Sequence, residues 1–371
     1  MHNGIDSVEA RLLEVLRLGA YQLLYMDGVP DYAAISESVD LARAVRGSGA
    51  AGMANAVLRR VRDAGDAEEL FPSRSEDPAA FLATWGSHPR WLVDRWLSRW
   101  SFTDVARLVA IDNRRPPVHV VPLDISVAEG IERLEAAGLS AQSSVLDPEC
   151  ILLAAGTKPR QALDVVGRAF VQDPAAHLVT RYADVEPGTK VADLCAAPGG
   201  KALAVSRRAG FLLGADRSES RMSMVRENAE RTNTRLSCVV ADARRPPFRE
   251  MDAVLLDVPC TGTGTLSRHP DSRWRLQPDS VMELATVQRE LLEAAADVVA
   301  PGGLLVYSTC TLEQEENEDR VGQFLDRHPN FRVEATDAVS ASLLNAHGHL
   351  VVTPQATDSD GAFAARFRRV S

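Results

Sequence analysis

Two cysteines stand where chemistry could be done. Cys260 closes the run Leu255-Leu256-Asp257-Val258-Pro259-Cys260, and Cys310 closes Val306-Tyr307-Ser308-Thr309-Cys310. Each follows an apolar stretch that reads as a strand, and strand-end loops of α/β folds are where reactants bind. A thiolate can add to an electron-poor carbon and split one hard step into easier ones. A free thiol is only a few per cent ionised at neutral pH, so such a cysteine needs local activation. Cys310 precedes a helix that Thr311 and Gln314 could cap, which favours thiolate, while Glu313, Glu315 and Glu316 push the other way. Asp257, three residues before Cys260, could hold a ring edge or share a proton with it. The residues alone make both cysteines candidates and do not choose between them. Cys150 and Cys238 read as small core hydrophobes, and Cys195 is intermediate.

A glycine turn lies upstream. Asp193-Leu194-Cys195-Ala196-Ala197-Pro198-Gly199-Gly200-Lys201 follows one strand and opens a helix. Its two glycines let the backbone approach a ligand closely. It is neither the G-x-G-x-x-G of a dinucleotide site nor a phosphate loop with a Ser or Thr after the lysine. Asp216 ends the next strand, where a carboxylate can accept ribose hydroxyls, and Asp242 ends the one after, where a side chain could meet an adenine edge. One acid per strand end is the layout of a nucleoside cofactor site.

The elements that must position these residues follow from periodicity. A helix over 6–27 carries Asp6 and Glu9 at capping-box spacing. Helical patterns over 33–46 and 50–62 are separated by Gly47-Ser48-Gly49. Residues 66–80 read as a linker, and 88–112 as one helix carrying Trp91, Trp96 and Trp100 in core packing. Residues 116–165 fit a small α+β module with a helix at 126–137. From about 166 strands and helices alternate: strands at 191–195, 211–215, 237–241, 252–258, 303–308, 331–335 and 363–367, with helices at 201–209, 218–232, 278–299 and 313–327. That pattern predicts a doubly wound α/β sheet.

The chain has 371 residues, a net charge of −10 and 45% hydrophobic residues. This is globular composition, with no run apolar enough to span a membrane and no secretory leader at the N-terminus. Five scattered cysteines without a CxxC pair argue against disulfides and metal, and for a reducing cytoplasm. The charge is uneven: −7 over 1–157, +5 over 158–275 and −8 over 276–371. An acidic total argues against nucleic acid, but the basic stretch spans the glycine turn, Asp216, Asp242, Asp257 and Cys260, and predicts a basic face with salt-sensitive binding.

These motifs resemble the Sun-type (RsmB/Fmu-like) RNA cytosine-5 methyltransferases over residues 6 to 369. The turn at Cys195, Ala196, Ala197, Pro198, Gly199, Gly200 and Lys201 resembles that family's S-adenosylmethionine loop. Asp257-Val-Pro-Cys260 and Ser308-Thr-Cys310 resemble its two cysteine motifs, and Gln172-Asp173 and Asp360-Gly361…Ala364-Ala365-Arg366 also match. The resemblance implies a class I S-adenosylmethionine-dependent methyltransferase, a Rossmann-like doubly wound sheet over 166–371. A linker and small α+β RNA-binding module over 67–165 and a partial, all-α NusB-like segment over 1–66 precede it. It implies Cys310 as nucleophile, Cys260 as the group that helps product leave, and Asp216, Asp242 and Asp257 as holding cofactor or base. The partner implied is RNA, 16S ribosomal RNA before transfer RNA, for a cytoplasmic monomer without metal. DNA cytosine-5 enzymes use the Pro-Cys cysteine as nucleophile, so swapped roles are the internal alternative; an inactive RNA-binding factor on the same fold is the external one. Two departures stand out. The first half of the NusB-like domain is missing, which predicts an exposed apolar face on residues 6–62. The family's Arg-x-Asn after Pro-Pro is replaced by Val118-His119-Val120. The loop Arg268, His269, Arg273, Trp274, Arg275 is expected to meet phosphates and stack near the base.

Overall fold

The computed structural model describes residues 5–64 and 71–370. Two compact units divide the chain between Trp85 and Gly86. In the first, a helix spans Ala10–Tyr25, and the Glu9 carboxylate caps it by accepting from the backbone N–H of Arg11 and Leu12. The helix therefore starts later than the expected capping box, and the Asp6 side chain lies outside the described residues. A second helical run, Asp31–Ala64, breaks at Arg46 and Gly47, where φ of Gly47 is +79°, as the Gly-Ser-Gly spacing predicts. Leu12, Leu16, Ile35, Ala42, Ala54 and Leu58 form its core. Burying each large side chain of this kind is worth about 1.5–3 kcal/mol. Gly19 allows the close approach, since a Cβ there would lie 2.6 Å from Ser38 Oγ. Tyr21, Tyr25, Tyr32 and Leu41 stay exposed, Tyr32 by 78%.

The second unit opens with helices Arg90–Leu97 and Phe102–Asp112. The single helix expected over 88–112 is broken because Ser101 turns its hydroxyl to the N–H of Asp104 as an N-cap. A four-stranded antiparallel sheet follows: β1 His119–Pro122, β2 Ala141–Ser143, β3 Ile151–Leu153 and β4 Ala169–Val171, in the order β2-β3-β1-β4. Helices Val127–Ala136 and Pro159–Val166 share its core through Leu134, Ala162 and Val166. Its fourth strand lies beyond residue 165, inside the stretch that the sequence reading gives to the catalytic domain.

The large sheet comprises β5 Lys190–Asp193, β6 Phe211–Asp216, β7 Ser237–Val240, β8 Met251–Asp257, β9 Val299–Thr309, β10 Phe331–Val333, β11 Leu350–Val352 and β12 Ala362–Arg369. The order is β10-β12-β9-β8-β5-β6-β7, with β11 also on β12. Strands β9 through β7 run parallel, while β12 is antiparallel to β9, β10 and β11. The doubly wound expectation holds; β11 and the helix Pro174–Ala183 are additions to it. The chain winds outward from β5 to β7 and then returns to β8, so the strand order reverses between β5 and β8. Ligands of open α/β sheets bind at such a reversal, outside the carboxyl ends of the strands. No helix among the described residues is long and apolar enough to cross a membrane.

Candidate active site

The glycine turn caps β5. The N–H of Ala196 bonds to Ala215 O of β6 at 2.9 Å, which ties the turn to the neighbouring strand. Gly199 takes φ +111°, and the Ala197–Pro198 peptide is cis. A Cβ on Gly200 would lie 2.8 Å from Gln172 Nε2, so the turn packs directly under that amide. Asp193, at the strand end, is fully buried; burial and then the neighbouring Asp257 push its carboxyl up to about 7. Burial also pushes the Cys195 thiol up, so this cysteine is held as an inert thiol.

The parallel register of β8 and β9 sets Asp257 opposite Ser308. The chain leaves both strands just beyond, and the two sulfurs, Cys260 Sγ and Cys310 Sγ, come to 3.4 Å. The N–H of Cys310 also points at Cys260 Sγ, at 3.4 Å. The pair is unequal. A hydrogen bond donated by the Cys260 thiol brings Cys310 below the ordinary thiol range, against burial and Asp257 and with help from Lys201 and Thr265. The same bond, then burial, puts Cys260 well above that range. Lys201 Nζ donates to Asp257 Oδ2 at 2.7 Å, and Ser308 Oγ donates to Asp257 Oδ1 at 2.8 Å. Burial alone would lower the Lys201 ammonium, but Asp257 outweighs it and holds it charged. Both oxygens of Asp257 thus accept hydrogen bonds.

The acids after Cys310 do not act as expected. Glu313 accepts from Arg95 Nε at 2.8 Å, Trp96 Nε1 at 3.2 Å and Thr263 Oγ1 at 3.1 Å, and Glu315 accepts from Arg95 Nη2 at 2.7 Å. One arginine from a helix more than two hundred residues upstream offsets two of the three charges. Cys310 is not at a helix start: a 3-10 turn covers Gln314–Glu316, the helix begins at Glu318, and Thr311 turns inward to Thr261 and Glu316.

The loop after Cys260 is also corrected. Arg268 is clamped between Asp173 at 2.7 Å and Asp360 at 2.5 Å. Arg273 is buried and bonded to Asn113 Oδ1 and the carbonyl of Asp112. Arg273 is thus held within the fold, while Arg268, although paired with two acids, also lines the cleft. Arg275 pairs with Asp271. Trp274 remains exposed, and His269 lines the cleft.

A cleft of about 730 Å³ contains Cys195, Ala196, Ala197, Pro198, Gly200, Lys201, Asp257, Cys260 and Cys310. The structure brings these predicted residues together. It does not bring Asp216 and Asp242 to the cleft wall. Asp216 is buried at the end of β6, accepting from the N–H of Ser218 at 2.9 Å, with Arg221 at 3.5 Å. Asp242 lies just past β7, where Arg244, at 2.7 Å, holds its carboxyl down at about 2, and it faces a separate cavity with Arg289 and Glu290. The residues that sequence reasoning missed are Asp193, Arg95 and the Thr261–Glu316 network; only Asp193 carried a local sign, as the last residue of a strand before the turn. Asp147, Cys150 and His177 also gather within 4.8 Å of one another, but Asp147 is already bonded to His177 and to Arg181 at 2.8 Å, so a cation sits there already.

A parallel sheet that ends in an antiparallel hairpin-like edge, with a glycine turn at its first strand and a polar cleft over its reversal point, defines an S-adenosylmethionine-dependent methyltransferase fold. Comparison with known proteins narrows this. The family described as 16S rRNA methyltransferase RsmB/F matches residues 182–368, the NusB family residues 1–63, and the RsmF/B-like ferredoxin-like domain residues 88–158. A probable ribosomal RNA small subunit methyltransferase B of Bacillus subtilis (strain 168) is 30% identical over 99% of this chain and 85% of the relative. Ribosomal RNA small subunit methyltransferase B of Cronobacter sakazakii is 32% identical over 95% of this chain and 81% of its own. The crystal structure of a protein called PH0851 superposes with a TM-score of 0.79 at 26% identity, covering 96% of this chain and 82% of that one. NSun6 from Pyrococcus horikoshii, solved with SFG, shares the fold at 19% identity and a TM-score of 0.64, over 75% and 97% of the two chains. The chain belongs to the RsmB/F family of ribosomal RNA methyltransferases.

Proposed function

We propose that the chain methylates carbon 5 of a cytosine in 16S ribosomal RNA through a covalent adduct between Cys310 and carbon 6. The observation that carries this is the unequal sulfur pair, 3.4 Å apart, beside the Lys201–Asp257–Ser308 chain. S-Adenosylmethionine, bound at the glycine turn, supplies the methyl group. The residues present fit it. Cys195, Ala196, Ala197, Pro198, Gly200 and Lys201 line a cleft of about 730 Å³, a size that takes a nucleoside, and Asp216 ends the neighbouring strand β6. Asp242 is left out, since Arg244 engages both its oxygens.

Carbon 5 of cytosine is a poor nucleophile until a thiolate adds at carbon 6 and turns the ring into an enamine. Cys310 is the sulfur with thiolate character. As its bond to carbon 6 forms, negative charge moves onto the ring's N3 edge, where Lys201 offers a proton and Asp257 holds Lys201 and Ser308 in line. Once carbon 5 is methylated, its hydrogen leaves as a proton to Cys260, which relays its own thiol proton to the departing Cys310 sulfur as the carbon–sulfur bond breaks, and the ring's N3 edge returns its proton to Lys201. A paired cytosine has to be unstacked first, at a cost of a few kcal/mol.

RNA carrying 5-fluorocytosine tests the reading, because fluorine cannot leave as a proton and the adduct is trapped. The native chain and Cys260→Ala are expected to form the adduct, and Cys310→Ala is not. An adduct with Cys310→Ala and none with Cys260→Ala reverses the roles. Bisulfite mapping of total RNA with and without the gene identifies the base.

A further inference from the structure

Glu316 lies fully buried in the turn between β9 and the helix Glu318–Arg327. Its Oε2 accepts from the N–H of Thr261 at 3.0 Å and from Gln288 Nε2 at 2.7 Å. Its Oε1 accepts from Thr261 Oγ1 at 2.5 Å and Thr311 Oγ1 at 3.1 Å. Thr261 follows Cys260 and Thr311 follows Cys310, so one carboxylate holds the residue after each cysteine. The residues before them are held from the same side. Gln288 Nε2 also donates to Pro259 O at 3.0 Å, and Asn317 Oδ1 accepts from Thr309 Oγ1 at 2.6 Å. Asn317 Nδ2 donates to Thr311 O at 3.0 Å. Both cysteines are therefore gripped fore and aft by Gln288, Glu316 and Asn317.

The charges around the pair are arranged to match. Lys201, from the helix after β5, acts on Cys310, and Asp257, at the end of β8, faces both Lys201 and Cys310. Asp193 ends β5 behind them, and Glu313 is offset by Arg95. Tyr307 of β9 donates to the backbone of Glu316 at 2.6 Å, with Arg320 near it. Glu316 is the acid that adds to the rise of the Cys260 thiol, after the sulfur–sulfur hydrogen bond and burial. Its own burial raises it, and the bonds donated by Thr261, Gln288 and Thr311 pull the other way.

We propose that Glu316 is the positioning residue of the cysteine pair: through Thr261 and Thr311 it fixes the two sulfurs in contact, and its charge keeps the shared proton on Cys260 so that Cys310 is the nucleophile. The inference rests on the covalent reading above for its meaning, but its test does not use RNA. The full chain is treated with iodoacetamide across neutral pH, and modification of Cys260 and Cys310 is followed separately by peptide mass spectrometry. In the native chain Cys310 is expected to react about tenfold faster, because the thiolate is the reacting form. Glu316→Gln removes the charge and brings the two rates to within about threefold, while Glu316→Asp keeps Cys310 ahead. A folded Glu316→Gln chain, checked by thermal unfolding, that retains the native ratio overturns the charge role. Thr261→Val is nearly the same shape and leaves the carboxylate in place, so it probes the grip even where Glu316→Gln does not fold. It is expected to slow capture of the two thiols by phenylarsine oxide, which bridges sulfurs in contact, by about threefold or more. Capture at the native rate overturns the positioning role. Native-like biased cysteines that give no adduct with 5-fluorocytosine RNA overturn the covalent reading alone.

Discussion

Asp193 ends β5 with its carboxyl fully buried and pushed up to about 7 by burial and Asp257. In the unfolded chain the same group titrates near 4. Between about 4 and 7 the folded chain therefore holds more protons than the unfolded one, and stability falls as pH rises through that window. Asp193→Asn removes this contribution. Its unfolding temperature is expected to drop less than the native one between mildly acidic and mildly alkaline buffer. Asp360, also pushed up to about 7 by burial and Asp173, leaves part of the slope in place in the variant. An unchanged slope would mean that Asp193 ionises freely in the fold. At this scale the sequence was informative where partners are close in the chain: Asp257, Cys260 and the turn at Cys195–Lys201 declare themselves by local spacing. Glu316 and Arg95 did not, because the groups they hold lie 55 and 218 residues away. A buried carboxylate looks like any other Glu until the fold closes around it.

Elements were legible to the extent that their signals were periodic. The parallel strands stood out as apolar runs, since both faces of β5, β8 and β9 are buried. The break at Ser98–Ser101 and the helix Pro174–Ala183 carried readable signs that period alone passes over. Ser101 lies three residues before Asp104, and Asp173 stands as a cap with a proline at the first helical position. Strand β11 has three residues and no pattern to show. The loop after Cys260 gives an element-scale prediction. Gly264 donates its N–H to Cys310 O at 3.0 Å and accepts from the N–H of Gly361 at 2.7 Å. A Cβ there would meet Cys310 O at 2.7 Å and Gly361 Cα at 2.8 Å, backbone on both sides. Gly264→Ala is expected to cost about 1–3 kcal/mol in denaturant unfolding. It should also lower adduct formation more than its stability loss explains, since Cys310 has to move. Native adduct rates in a folded variant would show that the loop can yield without disturbing the sulfur.

The net charge of −10 describes the chain poorly as an RNA-binding object. The loop Arg268, His269, Arg273, Trp274, Arg275 was expected to meet RNA; Arg273 is buried in the fold, Arg268 and His269 line the cleft and Trp274 is exposed. Phe170, Gln172, Arg160 and Arg231 line the same cleft. Burial and then Arg160 lower Arg231, and among the described residues it bonds to Ala169 O and Asn228 Oδ1. Arg160 has Asp164 at 3.6 Å, both exposed. Replacing both arginines by glutamine is expected to weaken binding of 16S RNA and reduce the slope of log affinity against log salt by up to about 2, one for each phosphate lost. Equal slopes would mean that this part of the cleft meets no phosphate. Composition could not separate arginines that neutralise buried acids from those left facing outward; only the fold distributes them.

The seam between Gly264 and Gly361 has a consequence in time. A ribosome makes the chain in order, and domains fold as their parts emerge. When Cys310 is added to the growing chain, Gly361 is still about fifty residues from being made, and the flank of β9 that β12 will cover is bare. Both thiols exist by then, but the loop that carries one of them has nothing to close against. The cleft is finished only when the last strand slides in between β9 and β10. A chain stopped short of β12 therefore carries both thiols but lacks the strand and the glycine seam that close the cleft around them.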